Sequence, residues 1–220
     1  MNVLLLGATG FTGRAILDEL LMRGHAVTAL VRNPDALSVA HERLKKVKGD
    51  ALDRAAVAGG LAGQDGVIQA LGLGKPGGKR SGGLRRGEKT TLVSDATKIL
   101  VEEMQKAGVK RLVCMSNVGA GDSERYVPWV LRKLIVPVVA PFLTAIVEDK
   151  NRMELLVMQS GLDWTLVRLP GIMGDKPKGT RRVALDGPVG MAIRVPDCAQ
   201  FLVEQLADRS YVGKAPSVSN

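Results

Sequence analysis

Three glycines fall within seven residues, Gly7-Ala8-Thr9-Gly10-Phe11-Thr12-Gly13, between an apolar run and a stretch with helical spacing. Glycine in the first place lets the chain turn sharply, and in the second lets backbone approach a ligand. In the third it lets the helix pack on the strand. A helix opening there offers unbonded N–H groups to an anion, and a pyrophosphate suits them. Gly7, Thr9, Gly10, Phe11, Thr12 and Gly13 are therefore candidate ligands of a dinucleotide. The competing reading is a glycine-rich turn that binds nothing. The strand before, the helix after and a second strand from Ala26 supply the context the motif requires.

The end of that second strand selects the nucleotide. A carboxylate there would accept from a ribose 2′-hydroxyl, but this chain has Arg32, with Arg14 as a helper. A guanidinium suits a 2′-phosphate, so NADP(H) is expected over NAD(H). A solvated surface arginine is the alternative. Other reactive side chains are sparse: two histidines (His25, His41), two cysteines (Cys114, Cys198) and two tyrosines (Tyr126, Tyr211). Both histidines precede strands, on the side of a sheet opposite its ligands, so neither a hydrolytic triad nor a histidine-held zinc is expected. The cysteines read as separate reduced core thiols.

The elements that must position these residues alternate. Strands are expected at 3–6, 26–31, 44–48, 66–70, 111–115 and 164–168. Helices are expected at 11–23, from Asp53, at 90–107 and at 150–159. Glycines close three of the helices, Gly24, Gly108 and Gly161. Repeated strand–helix–strand units imply an α/β fold, a Rossmann-type doubly wound parallel sheet with helices on both faces. The 220 residues suit one domain, with the portion from about 170 to 220 contributing to the substrate side.

Composition sets the outer bounds. Hydrophobic residues at 45% with 24% charged describe a globule with a sizeable aliphatic core. The longest apolar stretch, 134–147, is too short to span a bilayer and contains Pro137 and Pro141. No targeting segment is read ahead of the first strand, so a cytoplasmic location is expected. A net charge of +9 suits an anionic partner. Only 3% aromatic residues and no zinc-finger or RNP-like pattern argue against nucleic acid.

Taken in order, GATGFTG, LVRNP, KGD, QALG, RLVCMSNVGAGD and SGLDWTLVRLPGIMGD resemble the atypical branch of the short-chain dehydrogenase/reductase superfamily, over roughly residues 2–206. DKNRMELLVMQSGL and GDKPKGTRRVALDG are similar to NAD(P)H-binding, NmrA-like proteins that include the flavin reductase/biliverdin-IXβ reductases. The resemblance implies that Asp50 and Ala51 border an adenine and that Leu71 and Gly72 lie along the cofactor. It implies that Ser116 is the active-site serine, that Lys150 meets the nicotinamide ribose, and that Pro170, Gly171 and Ile172 face the nicotinamide. Without it, Asp50 reads as a helix cap, Ser116 as bonded to local backbone and Lys150 as a surface lysine.

One departure bears on the reaction. Ordinary members carry a proton-donating tyrosine four residues before the lysine, where this chain has Ile146. Isoleucine or methionine also stands where the flavin/biliverdin reductases place a histidine after the sixth strand. Hydride delivery to a ketone makes a basic alkoxide and benefits from a positioned acid. A flavin, quinone or related conjugated acceptor spreads the charge and takes its proton from water or a weak donor such as Ser116. The expected activity is therefore an NADPH-dependent reductase of such acceptors, catalysed by Ser116 and Lys150. The alternatives are a non-catalytic NADP(H)-binding sensor, or a scaffold that uses the basic loop at 74–89 for contact. That loop and the greasy segment 129–147 are each expected beside the ligand, with a solvated insertion and core packing as their plainer readings.

Overall fold

The computed structural model describes residues 1–72, 89–130, 141–187 and 189–220. The sheet is built outward from β1 (Asn2–Leu6), whose Val3, Leu4, Leu5 and Leu6 are all sealed from solvent. Burial on both faces is what a central parallel strand demands, and it explains an unbroken apolar run instead of alternation. β2 (Ala26–Val31) and β4 (Gly66–Gln69) flank β1, with β3 (Leu44–Lys48) outside β2. On the other side follow β5 (Arg111–Asn117), β6 (Asp163–Leu169), β10 (Ser217–Ser219) and β8 (Arg182–Ala184). Only β8, paired with β10, runs antiparallel. The order reverses between β1 and β4, which opens a crevice at the C-terminal strand ends.

Alternate residues of β1 feed two cores. Val3 and Leu5 pack with α1 (Phe11–Met22) and α5 (Val195–Glu204), through Ile16, Leu20 and Leu202. Leu4 and Leu6 pack with α2 (Arg54–Leu61), α3 (Leu92–Ala107) and α4 (Pro141–Met158), through Leu61, Leu100 and Met153. The two cysteines divide between these cores, and burial pushes both thiols up to about 12. At the N-terminal strand ends, buried Arg111 donates to the Asp163 and Gln205 carbonyls and to Thr165 Oγ1, tying β5 and β6 to the end of α5.

One expectation changes. The helix expected at 150–159 begins at Pro141, nine residues earlier. At the first helical position proline's fixed φ fits a helix start. The portion after residue 170 divides between the main sheet and a small ribbon. β10, β8 and α5 join the main sheet and its core, and only the parallel ribbon of β7 (Gly171–Met173) with β9 (Ala192–Arg194) stands apart. The basic stretch at 73–88 and the segment 131–140 lie outside the described residues.

α3 lacks a side-chain cap of its own, since Thr91 makes no such bond. Asp149 of α4 fills the role, accepting from Val93 N at 2.9 Å and Ser94 N at 3.1 Å. Replacing Asp149 with Ala should lower stability by about 1–2 kcal/mol. In urea denaturation the midpoint falls while the slope stays constant; an unchanged midpoint would show that the cap contributes nothing.

Candidate functional site

The glycine turn crosses from β1 to α1 with almost no space to spare. Gly7 has φ +89°, and a Cβ there would lie 2.5 Å from the Ala70 carbonyl oxygen. A Cβ on Gly13 would lie 2.0 Å from the Gly7 oxygen, so neither position admits a side chain without moving backbone. Gly10 is less constrained, with the same oxygen 3.2 Å from its virtual Cβ. Its N–H donates to Gly7 O at 2.9 Å and closes the turn. Thr9, Gly10 and Phe11 are exposed on the rim, whereas Thr12 and Gly13 are buried beneath it.

What this turn presents is an uncapped helix. Gly10 provides no side-chain cap, and the first turn of α1 holds no acid. The helices that follow β3 and β4 differ, because Asp53 caps α2 and Asp149 caps α3. Among these three described helix starts, only α1 leaves its first N–H groups and its positive dipole end for an outside anion.

Arg32 sits on the bend after β2, exposed and without a hydrogen-bond partner among the described residues. Arg14, one turn into α1, donates to Ala36 O at 3.2 Å and so braces the turn that follows Arg32. At the end of β3, Asp50 and Ala51 are half-buried. Asp50 accepts from Leu52 N at 3.0 Å, so the helix cap read as its alternative role belongs to Asp53. Leu71 is half-buried and Gly72 exposed beyond β4. Together these residues line the C-terminal strand ends from β1 outward.

The other half of the site centres on α4. Lys150 is not the surface lysine of the plainer reading. It is buried, and its ammonium donates to Met115 O at 2.7 Å and Leu71 O at 3.1 Å, with Met153 Sδ at 3.9 Å. It therefore fastens the ends of β4 and β5 to α4. Burial brings its pKa down to about 8, a fall that Cys114, Asp149 and Glu154 partly oppose. Ser116 does not bond local backbone. Its Oγ donates to Glu154 Oε1 at 2.6 Å, and Glu154 receives Arg168 at 3.1 and 2.7 Å. Arg168 also pairs with Asp122 at 2.6 Å, on the loop after β5. The hydroxyl read from the sequence as a weak donor thus gives its hydrogen inward. Ile146 lies one turn before Lys150 on α4, half-buried. Pro170 and Ile172 are half-buried and Gly171 exposed, the last two within β7 and not in a loop.

Glu154, Arg168 and Asp122 escaped the sequence reading. Two signals were available: Glu154 stands four residues after Lys150, hence on its helix face, and Arg168 interrupts the apolar run Leu166-Val167-Leu169 at the end of an internal strand.

A family model described as NAD(P)H-binding matches residues 7–209, a span that contains the glycine turn, Arg32 and the α4 cluster. The chain belongs to this NAD(P)H-binding family. It is 34% identical over 203 residues to a 3-diazoavenalumate denitrifying reductase from a Streptomyces species, across 89% of this chain. It spans 62% of that relative's length. Among solved structures, ChuY, an anaerobillin reductase from Escherichia coli, superposes with a TM-score of 0.80 at 21% identity, covering 100% of this chain and 97% of that one. A short-chain dehydrogenase/reductase from Veillonella parvula in complex with NADP gives 0.76 at 15% identity, covering 100% and 94%. The fold is thus that of NAD(P)H-binding oxidoreductases. No helix among the described residues is long and apolar enough to cross a membrane.

The glycine cradle and the uncapped α1 fit a dinucleotide pyrophosphate, since a Cβ at either strict glycine would occupy the space where the backbones meet. Lys150 carries a separate test of the wall beside it. Unfolded, it titrates near 10.5, and folded near 8, so between these values the unfolded chain holds a proton that the native one has released. That contribution to stability is absent below about pH 8 and grows as pH rises toward about 10.5. Relative to Lys150→Met, the native protein should gain up to about 1.4 kcal/mol per pH unit across this window in urea denaturation. Parallel curves for the two proteins would place the ammonium in water.

Proposed function

We propose that this protein is an NADPH-dependent reductase delivering hydride to a flavin, quinone or related conjugated acceptor. The observation that carries this reading is where the protons near Ser116 and Lys150 go. Ser116 gives its hydrogen to Glu154, the Lys150 N–H groups face Leu71, Met115 and Met153, and Ile146 has none to give. Among these positions no acid faces outward to protonate an alkoxide, so an acceptor that disperses charge over a π-system is favoured.

On this reading Gly7, Thr9, Gly10, Phe11, Thr12 and Gly13 hold the pyrophosphate, with the helix dipole of α1 opposing its charge. Arg32 pairs with a 2′-phosphate as a charge-assisted donor, and Arg14 steadies the adjoining turn. Asp50 and Ala51 border the adenine, while Leu71 and Gly72 run along the ribose side. Lys150 acts by fixing the floor beneath the nicotinamide, through the Leu71 and Met115 carbonyls it binds. Ser116 stiffens the same wall through Glu154. Pro170, Gly171 and Ile172 close the opposite side. When bound, NADPH supplies the hydride, and a solvent proton completes reduction of the acceptor to its dihydro form.

The test mixes purified protein with NADPH and a panel of FMN, FAD, menadione and linear tetrapyrroles, following absorbance at 340 nm. Turnover with at least one acceptor is expected. Tight NADPH binding without turnover across the panel would instead make the protein a binding or sensing member of its family. For the nucleotide, Arg32→Asp should weaken NADPH at least about tenfold, the worth of a charged hydrogen bond, and leave NADH within about threefold. Equal losses for both in fluorescence titration would remove Arg32 from 2′-phosphate recognition.

A further inference from the structure

β5 ends in Met115-Ser116-Asn117, and successive side chains of a strand point to opposite faces. Ser116 aligns with Arg168 and turns beneath α4, where Glu154 takes its hydrogen. Asn117 aligns with Leu169, whose side chain belongs to the core on the α1 and α5 side. Ile172 of β7 packs against that same core. Asn117 is thus the last residue of the strand, on the face that carries the β7 ribbon. It is half-buried, and its carboxamide makes no hydrogen bond among the described residues.

Polar side chains on and against the loop that follows β5 are already paired with its backbone. Ser123 bonds the Ala120 carbonyl and the Gly119 N–H, and Asn151 accepts from Gly121 N at 2.7 Å. The half-buried carboxamide stays accessible, so a ligand can pair with it without breaking a bond to the described protein.

We propose that Asn117 is a specificity-determining residue of the acceptor site and that it reads an imide or lactam edge. A carboxamide holds an N–H2 donor and a C=O acceptor side by side. An edge of the form –CO–NH– presents the matching acceptor and donor, so two parallel bonds form. The isoalloxazine ring and the terminal rings of linear tetrapyrroles carry such edges. A quinone presents acceptors alone and satisfies half of the amide. This assignment rests on the reductase reading and narrows it to nitrogen heterocycles over quinones.

The test is binding to protein saturated with NADP⁺, which requires no turnover. The probes are lumiflavin, 3-methyllumiflavin (whose imide N–H is replaced by N–CH₃) and menadione, each measured by calorimetric titration. Asn117→Leu should weaken lumiflavin about tenfold and change menadione less than about threefold. Methylation should weaken binding to the native protein by a similar factor and have little effect on the variant, the coupling expected of one shared interaction. Asn117→Asp, which keeps the side-chain shape but loses the N–H2 donor, should lose lumiflavin as well. Additive effects of methylation and substitution, equal losses of lumiflavin and menadione, or no lumiflavin binding to the native protein would each overturn the proposal. Failure of the reductase reading looks different: NADPH oxidation would stall with every acceptor while the binding coupling persisted.

Discussion

The approach of one stretch of backbone to two others holds the site together. Gly13 lies against the Gly7 carbonyl, and Gly7 against the Ala70 carbonyl, at separations where a methyl group would have to displace main chain. These contacts fix the start of α1 over β1 and tie both to the end of β4, the two strands between which the sheet order reverses. Helices on either side of that point diverge to opposite faces, so a crevice forms there for topological reasons. The tight turn decides what faces the crevice, namely N–H groups that no side chain caps. Polarity at this end of the molecule is therefore a property of the main chain, and side chains have only to choose which dinucleotide and which acceptor enter.

α4 solves the complementary problem of making a wall from charged residues. Asp149, Lys150 and Glu154 are all buried, each with a different kind of partner. Asp149 meets the N–H groups of another helix, Lys150 meets strand-end carbonyls, and Glu154 meets a guanidinium. A buried charge costs far more than it returns unless its hydrogen-bonding capacity is filled, which is why each is held by two or more contacts. A hydrophobic replacement of the Glu154–Arg168 pair could match its stability. What the charged version adds is direction. Glu154 is an acceptor and therefore orients the Ser116 hydrogen, and Arg168 reaches on to Asp122 and the loop beyond β5. Gly121 belongs to the same arrangement, since a side chain there would collide with both Glu154 and Arg168.

These two halves differ in how far the sequence reveals them. The glycine turn and the strands from β1 to β6 were legible because the chemistry is local: glycine spacing, apolar runs and turn residues all sit within a few positions of the structure they specify. α4 was legible only in its second half. Its buried stripe runs through Ala145, Asp149, Lys150, Met153, Glu154 and Val157, and half of those residues count as surface residues in any hydrophobic pattern. The partners that make their burial tolerable come from α3, β4, β5 and β6, between 14 and 79 residues away. β7 to β10 are three residues each, too short to show a period, and β10 is recognisable only from the strands it joins. Asp50 and Asp53 show the same limit on a smaller scale, because both carboxylates can cap a helix and only the backbone between them decides which one does.

The burial of Ser116 and the openness of Asn117 follow from one geometric fact, the alternation of side chains at the end of β5. A strand that places one polar residue beneath α4 must place the next on the ribbon side. Once Glu154 has taken the Ser116 hydrogen, the serine contributes stiffness to the wall, and discrimination falls to the residue beside it. The same allocation explains why a missing tyrosine need not mean a missing activity. With Ile146 in its place and Lys150 tied to the sheet, the wall under α4 is buried and its donors are turned inward. Such a wall positions a flat conjugated ring well and protonates an isolated alkoxide poorly.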